Sequence, residues 1–199
     1  MVADQHLKSY SERILEEHIR TSQACRDILD DLALLCRSAE EVLRSSGQLL
    51  IFGNGGSAAD AQHIAAELTV RLDKDRPPLR AAALTTDTSA LTAAGNDYGF
   101  ERIFARQVEA LARPGDMVIG ISTSGNSENV LRGIEAAKTA GAVTAALTGR
   151  DGGKLKDLAE HVIVVPSKSV ARIQEMHILI GHILVGAVEK ALGLVEEEA

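Results

Sequence analysis

The chain has 199 residues, enough for one α/β domain with a substantial core and short for two. Hydrophobic residues make up 45% and charged residues 25% of it, and the net charge of −7 argues against broad electrostatic attraction to nucleic acid or an anionic membrane. No apolar run approaches the roughly 18 residues a bilayer span needs, and the polar start Met1-Val-Ala-Asp-Gln-His6 lacks the apolar core of a signal peptide, so cytoplasmic residence is expected.

From Val2 to Ser46 there is neither Gly nor Pro, and apolar residues recur at helical spacing: Leu7, Tyr10 and Ile14, then Cys25, Ile28, Leu29, Leu32, Leu35 and Cys36. This predicts one long or two consecutive helices over about 1–46. The part up to Arg20 has only a narrow apolar stripe, the pattern of a helix that packs against a partner subunit. Cys25 and Cys36 have no metal-type spacing and read as reduced, half-buried structural thiols.

After Gly47 the pattern changes to strands alternating with helices. Gln48–Phe52 is a short apolar run ending in Gly53-Asn-Gly-Gly-Ser57, followed by an amphipathic helix from Ala58 to about Leu72. Arg80–Leu84 reads as a weak strand and Asp116–Ile121 as a strong one, ending in Ser122-Thr-Ser-Gly-Asn-Ser127. A helix over Glu128–Ala140, strands at Val143–Leu147 and His161–Val165, and a closing helix from about Val170 to Leu192 complete the chain. Alternation of this kind predicts a three-layer αβα sandwich around a five-stranded parallel sheet, one domain over 1–199. Ligands of such sheets sit beyond the carboxyl ends of the strands, where both Gly/Ser loops lie.

In the first loop, Asn54, Gly55, Gly56 and Ser57 bring backbone amides and a helix N-terminus to one place. It has neither the Gly-Lys-Ser/Thr of a P-loop nor the Gly-x-Gly-x-x-Gly of a dinucleotide site. In the second, Ser122, Thr123, Ser124 and Ser127 offer four hydroxyls in six residues, a neutral cradle for a phosphate that needs no lysine. His63 and Glu67 stand i, i+4 on one helix face, a spacing that suits a divalent metal, acid–base work or an exposed ion pair. On the closing helix, Gln174, His177 and His182 interrupt an apolar stretch. A histidine set between Gly and Ile there, as His182 is, reads by itself as a neutral core residue. Aromatic residues are 3% of the chain and Trp is absent, which argues against a stacking platform for neutral sugars.

Phe52-Gly-Asn-Gly-Gly-Ser57, Ala61-Gln-His-Ile-Ala-Ala-Glu-Leu68, Ala94-Gly-Asn-Asp-Tyr-Gly99, Gly120-Ile-Ser-Thr-Ser-Gly-Asn-Ser127 and Ala171-Arg-Ile-Gln-Glu-Met-His177 carry a resemblance. With them in this order, the chain resembles the SIS (sugar isomerase) domain family along nearly its whole length, the phosphoheptose isomerases most closely. The resemblance implies conversion of sedoheptulose 7-phosphate to D-glycero-D-manno-heptose 7-phosphate by proton transfer through an enediol. It implies that Ser122, Thr123, Ser124 and Ser127 hold the phosphate, and that Asn54, Gly55, Gly56, Ser57, Asn96 and Asp97 contact the sugar. Glu67 and His182 match the family's acid–base pair. His63, Glu67, Gln174 and His182 match the positions that bind zinc, one ion per subunit, and no organic cofactor is implied. A homotetramer with active sites at subunit interfaces is implied as well. Ala171 stands where certain relatives carry Asp.

Two non-catalytic readings share the scaffold. One is a protein that binds the DNA replication initiator, whose members lack the residues matching Glu67 and His182; the other is a phosphosugar-sensing regulatory module.

Overall fold

The computed structural model describes residues 2–196, with side chains from residue 5 onward, so Met1 and 197–199, the two ends of the expected domain, lie outside the described residues. Two helices open the chain, α1 (Val2–Ala24) and α2 (Leu29–Arg44), joined by a single 3-10 turn at Cys25–Ile28. Then follow β1 (Leu49–Gly53), α3 (Gly56–Thr69), β2 (Ala81–Ala83), α4 (Thr88–Tyr98) and α5 (Ile103–Leu111). The second half contains β3 (Met117–Ile121), α6 (Glu128–Thr139), β4 (Val143–Gly149), the one-turn α7 (Leu155–Leu158), β5 (His161–Val165) and α8 (Val170–Ala191). The expected strands are all present within a residue or two; α4, α5 and the short α7 are additions that the sequence pattern did not reveal.

The five strands are parallel in the order β2-β1-β3-β4-β5. Side chains alternate between two faces, as the period of a strand requires. Leu49, Ile51, Met117, Ile119, Ile121 and Leu147 pack under α2, α3 and α8. Leu50, Phe52, Val118 and Ala146 pack under α4, α5 and α6. Every residue of β1 and β3 is buried, which is why these strands read as unbroken apolar runs.

The α1 helix lies on α8, held by the Arg172 guanidinium donating to the Ile14 carbonyl oxygen (2.9 Å) and by His18 Nδ1 2.8 Å from Glu175 Oε2. Of the stripe expected from the sequence, Leu7 and Tyr10 stay exposed and Ile14 is half-buried, and Leu15 and Ile19 are exposed as well. Cys25 and Cys36 are free and half-buried, and burial pushes the Cys36 thiol up to about 11. No helix of the described residues is long and apolar enough to cross a membrane.

Candidate active site

The carboxyl ends of β1 and β3 are side by side, with Gly53 paired to Ile121. From β1 the chain passes to α3 in one helical layer, and from β3 to α6 in the other. Since β2 lies on the far side of β1, the strand order reverses here, which makes this edge the switch point where open α/β sheets bind ligands. The two Gly/Ser loops are the two lips of that crevice.

They are tied together by a reciprocal amide pair, in which the Asn54 and Asn129 side chains each donate to the other at 2.8 Å. Asn129 is buried and was not identified from the sequence, although it is the sole amide side chain of α6. Within the second loop, Ser122 Oγ lies 3.0 Å from Ser127 Oγ and 3.5 Å from Ser124 Oγ. Ser127 is the N-cap of α6 yet its hydroxyl makes no bond to that helix; α3 likewise begins at Gly55 without a side-chain cap. By contrast Asp87 caps α4 and Ser169 caps α8. The two helix N-termini at the switch point therefore present their dipole ends to an outside anion without a side-chain cap in the way, although the Ser57, Ala58 and Val130 amides already donate to backbone carbonyls. A cleft of about 450 Å³ runs along Gly53, Asn54, Thr85, Leu91 and Gly95. Another of about 520 Å³ shares Asn54 and reaches Ser127 and Arg132.

The second feature lies between α3 and α8. His63 Nε2 stands 2.9 Å from His182 Nε2 and 3.3 Å from Glu67 Oε1, and one ligating atom from each of the three residues falls within 4.8 Å of the others. Two imidazoles and a carboxylate form a donor set that fits a divalent ion such as zinc. Glu67 Oε2 is buried and has no hydrogen-bond partner. A carboxylate held at one oxygen and unengaged at the other is equipped to take a proton.

The family model described as "SIS domain" matches residues 10–149. Phosphoheptose isomerase of Aquifex aeolicus is 62% identical over 148 residues, 74% of this chain and 78% of that protein. The enzyme of the same name from Paramagnetospirillum magneticum is 51% identical over 186 residues, 94% of this chain and 93% of that protein. The solved structure of phosphoheptose isomerase GmhA from Neisseria gonorrhoeae superimposes with a TM-score of 0.87 at 43% identity, covering 92% of this chain and 99% of that one. The chain belongs to the phosphoheptose isomerase family of SIS domain proteins.

Of the candidate residues read from the sequence, Asn54, Gly55, Gly56, Ser57, Ser122, Thr123, Ser124 and Ser127 are gathered at the switch point, while His63, Glu67 and His182 converge between α3 and α8. Gln174 packs its amide against Gly56, where any Cβ would collide with it. Asn96 and Asp97 lie on the exposed side of α4 and bond to each other at 2.8 Å. The enclosed histidine of α8 is His177 and not His182, whose flanking Gly and Ile by themselves suggest a core residue. His182 is only partly buried, whereas His177 is fully enclosed, with its Nε2 3.0 Å from the Thr148 carbonyl oxygen. Burial pushes the His177 imidazole down to about 4, so it is neutral near pH 7. Asp60, one turn before His63, is another buried group that the motifs did not flag. Burial raises its carboxyl to about 6, the nearby His63 opposing the shift, and its Oδ2 has no hydrogen-bond partner.

Proposed function

We propose that this chain isomerises sedoheptulose 7-phosphate to D-glycero-D-manno-heptose 7-phosphate, the entry step to nucleotide-activated heptose such as that used in lipopolysaccharide. The observation that carries the reading is the convergence of His63, Glu67 and His182 within 4.8 Å, because a protein that only binds a phosphosugar needs the serine loop but not this set. The replication-initiator and regulatory readings have no observation in their favour.

In the proposed chemistry the phosphate rests on the hydroxyls of Ser122, Thr123, Ser124 and Ser127 and on the uncapped amides of α3 and α6. Aldose–ketose exchange then moves a proton between C1 and C2 through an enediol. Glu67 removes the carbon-bound proton, and His182, in contact with His63, manages protons on the two oxygens; the direction reverses with the reaction. His63, Glu67 and His182 would hold one zinc ion per subunit; Gln174, whose amide lies against Gly56 in its own chain, would join them only from a partner subunit, and such an ion would polarise a carbonyl oxygen.

His63 and Glu67 lie seven and eleven residues beyond Gly56, about 10 and 16 Å along α3. This offset favours a site assembled between subunits of a homotetramer, in which a partner's serine loop or Asn96–Asp97 completes the set. The exposed apolar residues Leu179 and Ile183, close to His182 on α8, and those of α1 supply surface for that contact. Cytoplasmic residence without direct nucleic-acid or membrane contact completes the reading. Incubating the protein with sedoheptulose 7-phosphate, with and without a chelator, tests it: heptose 7-phosphate should accumulate. An unchanged substrate under metal-replete conditions contradicts the proposal.

A further inference from the structure

We propose that the buried pair Arg76–Glu189 is a positioning device that fixes the end of α3 against α8 and so sets the spacing between Glu67 and His182. The inference rests on the isomerase reading of that set and adds two residues to it that touch neither substrate nor metal.

Glu67 sits in the last turn of α3, which ends at Thr69. The residue whose amide would normally bond the Glu67 carbonyl, Arg71, is already outside the helix, so that carbonyl is one of the orphans every helix end leaves. Arg76 supplies the missing donor. From the loop beyond, its Nη2 donates to the Glu67 carbonyl oxygen at 2.8 Å and its Nη1 to the Leu68 carbonyl oxygen at 2.7 Å. The same Nη1 reaches the Pro77 carbonyl oxygen at 3.0 Å. Its positive charge at a helix C-terminus is on the favourable side of the dipole.

The guanidinium is also bound from the other helix. Arg76 Nε donates to Glu189 Oε1 at 2.7 Å, and the side chains are 0% and 4% exposed. The Leu72 amide lies 3.4 Å from the same carboxylate oxygen. Glu189 is seven residues after His182 on α8, about 10 Å along the axis. One residue before His182 the helices touch, where a Cβ on Gly181 would stand 2.6 Å from Ile64 Cγ1, and those two residues are the chain neighbours of His182 and His63. The close approach at Gly181 sets the distance between the helices. The Arg76 fork, reaching both the Glu67 carbonyl and α8, sets how far one helix is advanced along the other.

A buried ion pair is weak evidence for stability, because well-packed apolar residues often serve as well. What an apolar pair lacks is a planar donor fork that fixes a backbone carbonyl and a carboxylate at once. Lysine cannot reproduce that fork, so R76K keeps the charge and loses the geometry. E189Q, which keeps an acceptor of the same shape, is the milder variant should R76K fail to fold. V108A, in the opposite core layer, serves as a control for lost stability alone.

The experiment compares kcat and KM for sedoheptulose 7-phosphate, melting temperature, and zinc(II) affinity by competition with a chromophoric chelator. For R76K, kcat should fall by roughly 10- to 100-fold, as misplacement of catalytic groups by an ångström does. KM should hold, since the phosphate anchor lies elsewhere, and zinc should bind about tenfold more weakly, as when an orienting partner of a ligand is lost. E189Q should move the same quantities in the same direction by less, and V108A should lower only the melting temperature. R76K and E189Q that behave like V108A, with wild-type kcat and zinc affinity, overturn the proposal. If the wild type does not turn over sedoheptulose 7-phosphate, the isomerase reading fails, and the zinc titration still decides whether Arg76 positions the Glu67 set.

Discussion

The Nε2 atoms of His63 and His182 stand 2.9 Å apart although 119 residues separate them in the chain. Two facing ring nitrogens hydrogen-bond only if one carries the proton and the other does not, and Glu67 Oε1 competes for the same proton at 3.3 Å. A divalent ion at that point would turn all three groups into ligands. Dialysis against zinc followed by elemental analysis should find one ion per wild-type chain. H63A and H182A should each weaken uptake by more than the roughly 10- to 100-fold that loss of an outer partner causes. Equal zinc content in all three proteins places the metal elsewhere.

The serine loop should govern binding more than turnover. In S122A/S124A two hydroxyls are lost, at roughly 1.5–3 kcal/mol for each hydrogen bond to a charged group. Calorimetric titration with sedoheptulose 7-phosphate should show affinity reduced by a few kcal/mol. Wild-type affinity in the double variant means that the phosphate is bound by other groups.

Because the offset along α3 separates the two sets, each kind of defect should be complemented by the other. E67Q chains, impaired in turnover, and S122A/S124A chains, impaired in binding, unfolded together and reassembled, should regain part of the wild-type rate at low substrate concentration if the serine loop of one subunit serves the Glu67 of another. Co-assembled oligomers no more active than their parents indicate a site contained in one chain.

His177 gives the fold a sensitivity to acid. Its imidazole falls from 6.5 to about 4 on folding, so the unfolded chain takes up the proton first as pH drops. The stabilising contribution is complete above about 6.5 and is lost as pH falls toward 4, for a total of about 3 kcal/mol. Thermal melts from pH 8 to 4 should show the wild type losing stability through that window faster than H177Q, which cannot titrate. Parallel curves remove His177 from the acid response.

How far the sequence discloses the molecule depends on which forces act at each place. β1 and β3 are central and covered on both faces, so their residues must be apolar throughout and are easily recognised. α4 mixes Ala90, Leu91, Ala93 and Ala94 with Thr, Ser, Gly, Asn and Asp, weaker helix formers, and it is capped by Asp87. Only Ala94 of its residues is buried, so its sequence carries no apolar stripe to mark it. His63 and Glu67 were legible because four-residue spacing puts them on one face before any tertiary contact is known. The neighbours in sequence, Met and Ile around His177 and Gly and Ile around His182, point to the wrong one of the two as the enclosed histidine. The inward face of α8 decides between them, and it runs through Ile173, His177, Ile180 and Leu184. Asn129 needed the partner loop in place, because its role exists only opposite Asn54.

The proton-transfer role of Glu67 is tested most directly by following sedoheptulose 7-phosphate by NMR with wild-type protein and with E67Q. The wild type should convert it to heptose 7-phosphate. E67Q should still bind the substrate but turn it over about 10²- to 10⁴-fold more slowly, the usual effect of removing a general base. Turnover by E67Q at the wild-type rate contradicts the mechanism.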